Sequence, residues 1–106
     1  MSISDRYREL VEEIRAFQTT MQGASGAEEG KELHMIAKAV RELAELQESV
    51  GEIPRIRLEA ELTPVLLRAH GNLDRSRLLL DEQGDEDQAA AVWELEQKIY
   101  RLLNDL

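Results

Sequence analysis

The chain has 106 residues, a formal net charge of −9 and no cysteine. That length suits one domain, residues 1–106, around one core. Without cysteine there are no disulfides, thiolate zinc sites or thiol chemistry. The excess of acids repels phosphates, which disfavours direct nucleic-acid binding. No apolar run approaches the length of a membrane span or a signal peptide, so a cytoplasmic protein without membrane association is expected. Only Tyr7, Phe17, Trp93 and Tyr100 are aromatic, so the core must be mostly aliphatic.

Ile3, Tyr7, Leu10, Ile14, Phe17 and Met21 recur at gaps of four and three, the seam of a helix lying along another helix. Ser2 or Ser4 can cap its start, and Asp5 suits the N-terminal dipole. The seam ends near Gln22, and residues 23–26 give a short loop. Ser25 with Glu28 forms a capping box that starts a second helix at Gly26 or Ala27. That helix is expected to reach about Val50 on a stripe of Leu33, Ile36, Val40, Leu43, Gln47 and Val50. Gln47 is the polar member, suited to fixing register. Gly51 fits just past the helix end, and Pro54 marks a restart.

Residues 55–62 alternate charged and apolar side chains, as a half-buried strand does. Yet Leu58, Leu62, Leu66, Ala69 and Leu73 keep helical spacing straight through them. The preferred reading is a short helix over about 54–62, a break or kink at Pro64, and a helix to about Glu82. The other is a strand pairing across a dimer axis. Val65-Leu66-Leu67 and Leu78-Leu79-Leu80 each spread about 200° round the helix at 100° per residue. A helix so apolar is either central in its bundle or covered by a second copy. Gly71 would let another helix approach closely. The short Gln83-Gly84 link requires an antiparallel return. Asp85 and Gln88 can cap a last helix with a seam of Val92, Leu95, Ile99, Leu102 and Leu106 and a second stripe of Trp93, Tyr100 and Leu103. The expected fold is an all-α antiparallel bundle of about four helices.

Neither His34 nor His70 belongs to a Glu-x-x-His pair, as di-iron bundles require, so no metal or haem is expected. The acids of 81–87 lack the EF-hand order, with Gly84 at the wrong place and Val92 where the closing Glu belongs. They suit helix termini instead. The third segment is basic, residues 55–80 holding five arginines against three acids, and residues 81–106 hold eight acids against two bases. His70, in mid-helix beside Arg68 and followed by Arg75 and Arg77, resembles the phosphoacceptor of histidine-phosphotransfer domains, which are acidic four-helix bundles of about this length. The resemblance implies a phosphoryl group on His70 neutralised by those arginines. Where that family carries Lys-Gly, three and four residues after the histidine, this chain has Leu73-Asp74, and the acid would repel the group.

With no catalytic constellation and no cofactor expected, the chain reads as a non-enzymatic protein working by protein–protein contact. An adaptor, a regulator and an acidic inhibitor all fit. The surplus apolar residues Leu66, Leu67, Leu78, Leu79, Trp93, Tyr100 and Leu103 are the interface candidates, for another protein or, by preference, a second copy in a homodimer.

Overall fold

A computed structural model describes residues 1–25 and 30–106. Four α-helices follow in order, α1 (Ile3–Ser25), α2 (Lys31–Gln47), α3 (Arg55–Glu82) and α4 (Glu86–Asn104), with a 3₁₀ turn at Val50–Glu52 between α2 and α3. Packing joins α1 to α2, α2 to α3, α3 to α4 and α4 back to α1, an up-and-down four-helix bundle. The all-α fold is as the periodicity predicts.

Each seam turns inward. Ile3, Tyr7, Leu10, Ile14 and Met21 of α1 are buried with Leu33, Ile36, Val40 and Leu43 of α2. Leu58, Leu62, Leu66, Ala69 and Leu73 of α3 meet Val92, Leu95, Ile99 and Leu102 of α4 in the same core. Val11 and Ala39 are buried too and widen the expected stripes. Polar ties fix the arrangement. The buried Tyr7 hydroxyl donates to the Leu43 carbonyl at 2.6 Å. Burial, aided by the Glu45 charge, pushes the Tyr7 phenol upward, so it remains a donor. Gln47 donates to Glu12 and accepts from Arg15, which joins α2 to α1 as a register-fixing residue would. Ion pairs Arg6–Asp105 and Lys98–Glu13 join α1 to α4.

The helix ends depart from expectation in places. Ser2 caps α1 through the Asp5 amide at 3.1 Å, but α1 continues past Gln22 through Gly23 to Ser25. The described α2 begins at Lys31 with Gly30 as its cap. The Ser25–Glu28 capping box and a start at Gly26 or Ala27 lie outside the described residues. Asp85 accepts from the Gln88 amide at 3.3 Å, as its position predicts. Gly84, at φ +77°, takes the left-handed conformation that turns α3 into α4.

Residues 55–62 are helical, which corrects the strand reading. α3 is also one element from Arg55 to Glu82 with Pro64 inside it, rather than two helices separated there. Proline removes the N–H that the Ala60 carbonyl would accept. Ala60 and Pro64 are both exposed, so water can satisfy that carbonyl, and the stripe from Leu58 to Leu73 keeps both halves in one helix. Among the described residues no helix is long and apolar enough to cross a membrane.

Candidate functional site: an outer groove and a buried acid cluster

The surplus leucines of α3 divide between core and surface. Leu66 is fully buried and Leu80 nearly so, while Leu67 and Leu78 are each about half exposed. Leu66 is therefore a core residue of this chain, which removes it from the interface candidates. Leu103 is partly buried against the core, and Leu79 is intermediate. Trp93 and Tyr100 stay about half exposed. Of the interface candidates, Leu67 and Leu78 on α3 and Trp93 and Tyr100 on α4 thus face outward; Met1 and Ile56, at the ends of the chain's helices, are exposed as well.

Two depressions lie between α2 and α3 and meet at Arg75. The first, about 390 Å³, is lined by Lys31, His34, Met35, Arg75, Leu78 and Leu79. The second, about 400 Å³, shares Arg75 and adds Lys38, Glu42, Leu67, Arg68, Gly71 and Asn72. Nothing lies within 4 Å of where a Gly71 Cβ would stand. The close approach expected there is therefore not made by any described part of this chain. Arg68 pairs with Glu42 at 3.1 Å. Lys31, Lys38 and Arg75 form no ion pair among the described residues. A protein of charge −9 thus lines these depressions with Lys31, Lys38 and Arg75, which have no ion pair among the described residues, beside the acid Glu42.

On the side of α3 that meets α4, His70 and Arg77 of the phosphoryl reading gather with Asp74 around Glu96, a residue the sequence alone does not single out. Glu96 is buried, its side chain 3% exposed. One carboxyl oxygen is 3.5 Å from His70 Nε2, and the other is 3.5 Å from Arg77 Nε. Arg77 also holds Asp74 at 2.9 Å and Asp81 at 3.1 Å. The His70 ring meets the Tyr100 ring edge-on, centroids 5.3 Å apart. Burial, then a hydrogen bond to Asp74 and the charge of Asp74, push the Glu96 carboxyl up to about 8, with Arg77 opposing. Glu96 is therefore the neutral acid at pH 7 and can donate to Asp74. That proton answers the one flaw of the carboxylate form, an Oε2 buried without a hydrogen-bond partner. Burial pulls Asp74 upward as well, but hydrogen bonds from Arg77 and Glu96 and nearby positive charge bring it below its ordinary value.

This arrangement separates the residues of the phosphoryl reading. His70 and Arg77 lie on the α4 side, while Arg68 and Arg75 lie on the α2 side. His70 Nε2 faces the Glu96 carboxyl, and Arg77, which shares that carboxyl, is already engaged by three acids. The groove's positive charge and the histidine are not brought together. No group of three or more ligating side chains among the described residues is placed to hold a metal ion. Comparison with protein-family models, curated proteins and solved structures gives no match for this chain.

Proposed function

We propose that this protein is a non-enzymatic interaction module that takes an acidic, amphipathic helix into the groove between α2 and α3. The observation that carries the reading is the placing of Lys31, Lys38 and Arg75, which have no ion pair among the described residues, beside apolar Met35, Leu67, Leu78 and Leu79 along α2 and α3 of a strongly acidic chain. Helix-in-groove recognition needs an apolar floor for side chains at i, i+3, i+4 and i+7. The basic rim would select acidic partners and repel basic ones, with most of its influence on encounter and specificity. An adaptor, a regulator and an inhibitor all fit this contact. The Glu96 carboxyl is itself closed from solvent, which supports a structural role for it over a catalytic one.

The test uses a fluorescent synthetic peptide, an amphipathic helix with a Leu/Trp stripe flanked by glutamates, and its lysine-flanked counterpart. The acidic peptide should bind, weaken as salt rises from about 50 to 300 mM, and lose binding to the K38E/R75E variant. Equal binding of both peptides, or of neither, overturns the reading.

A further inference from the structure

The outward face of α4 lies between its two neighbours. Val92, Leu95, Ile99 and Leu102 turn into the core. Glu96 and Tyr100 meet His70 of α3 on one side, and Lys98 pairs with Glu13 of α1 on the other. At 100° per residue the remaining side chains form rows, with Ala90, Gln97 and Asn104 in the middle. Trp93 and Tyr100 stand about 50° toward α3, and Glu94 and Arg101 about 50° toward α1. All of them are exposed except Gln97, which is partly so. We propose that this face is the interface of a homodimer, in which α4 packs antiparallel on α4 of a second copy with the two-fold axis crossing at Gln97. The contact uses a different face from the α2–α3 groove and does not rest on it.

The face is complementary to itself. An antiparallel two-fold brings level the positions equally far before and after the axis, and it lays each side row on the same row of the partner. Trp93 stands four residues before Gln97 and Tyr100 three after it, while Glu94 stands three before and Arg101 four after. Trp93 therefore meets the partner's Tyr100, and Glu94 the partner's Arg101, each within one residue's rise of about 1.5 Å. Symmetry makes both contacts twice. Ala90 and Asn104, seven residues before and after, come level as well, and their small side chains let the helix axes approach to the usual packing distance of roughly 8–10 Å.

Charge selects this orientation. Neither Glu94 nor Arg101 has an ion pair among the described residues, and the second copy supplies one to each. A parallel pair would instead set Glu94 on Glu94 and Arg101 on Arg101, which like-charge repulsion opposes. The two charges also cancel, so the contact is neutral in a chain of charge −9. The Tyr100 ring is already held edge-on against His70, which lowers the entropy cost of docking an indole beside it. The Gln97 amides meet on the axis, where each offers a donor and an acceptor to the other.

Size-exclusion chromatography with light scattering, from 1 to 100 µM, reads the outcome. The wild-type chain should reach twice its 12.1 kDa mass within that range. Trp93→Ala should raise the dimer dissociation constant about thirtyfold, the effect of truncating an aromatic anchor. Glu94→Arg and Arg101→Glu, both at exposed positions and checked for folding by circular dichroism, should each weaken the dimer about tenfold or more, because each sets like charges at both levels. Mixed in equal amounts, the two charge variants should return to the dimer mass, since only the mixed pair restores opposite charges at both. A monomeric wild type at 100 µM gives the face to a different protein and overturns the proposal. Charge variants that dimerise like wild type, a mixture that stays monomeric, or a Trp93→Ala chain with unchanged affinity overturns it equally.

Discussion

Replacing Glu96 with glutamine tests whether one buried acid sets the pH dependence of stability. The folded chain holds the Glu96 proton up to about pH 8, against an ordinary value of 4.5. Between those values the folded state binds more protons than the unfolded one. The stabilisation is therefore fully present below about 4.5, falls as pH rises, and is gone above about 8. The full slope is about 1.4 kcal/mol per pH unit. With the curve rounding off near 8, about 2 kcal/mol disappears between pH 6 and pH 8. For a domain of this length that is roughly 10 °C in Tm. Asp74, held below its ordinary value, acts in the opposite sense, its contribution lost as pH falls through the carboxylate range, outside this window. Urea unfolding followed by circular dichroism at the two pH values, at constant ionic strength and one low protein concentration, measures the difference. Glu96→Gln keeps a neutral donor toward Asp74 and cannot ionise, so it should flatten the slope. A wild-type chain equally stable at both pH values, or a glutamine variant with the wild-type slope, refutes the reasoning.

Three further outcomes check the packing. Leu66→Ala should cost about 2–5 kcal/mol in chemical denaturation, as buried leucine truncations do, whereas Leu67→Ala should stay within about 0.5 kcal/mol because that side chain is half exposed. Gly71→Ala, measured at one low protein concentration, should stabilise the fold by about 0.5–1 kcal/mol. It lies mid-helix with open space where the Cβ would go, so a lower Tm would show that something packs there. Tyr7→Phe should cost about 1 kcal/mol by removing the buried hydroxyl's bond to the Leu43 carbonyl, and an unchanged urea midpoint would contradict that bond.

The four helices were legible because each seam is a local pattern. A window of two or three turns contains the whole signal, and Ile3 to Ile14 or Val92 to Leu102 needs nothing from the rest of the chain. At Pro64, where a break or kink was expected, the helix runs on without a break, because a local rule competes with a longer one. Proline at an exposed helix position frees one carbonyl toward water, while the stripe from Leu58 to Leu73 holds the helix together on its buried side. Leu66 and Leu67 show a further limit. Adjacent leucines lie only 100° apart, so periodicity shows that a helix is apolar on more than one side without showing where its neighbours stop covering it.

The sites were less legible for a different reason. Glu96 did leave a trace, since it stands where the apolar positions Val92, Ile99 and Leu103 leave room for another seam member. A carboxyl at a seam position has to be neutralised or paired once buried. Its partners His70, Asp74 and Arg77 sit on another helix, so the trace could mark the acid but not its surroundings. The groove left less, because Lys31 and Lys38 come from a helix of net acidic sequence context and Arg75 from one some forty residues later. Their charges became a common feature only when α2 and α3 packed side by side. Segment charge located a basic third helix, but Arg77 of that helix is consumed by Asp74, Asp81 and Glu96 on one flank. Arg75, hydrogen-bonded to Asn72 and without an ion pair among the described residues, lines the other. Which arginine is available for a partner is decided by the side of the helix it leaves, two residues and 200° apart.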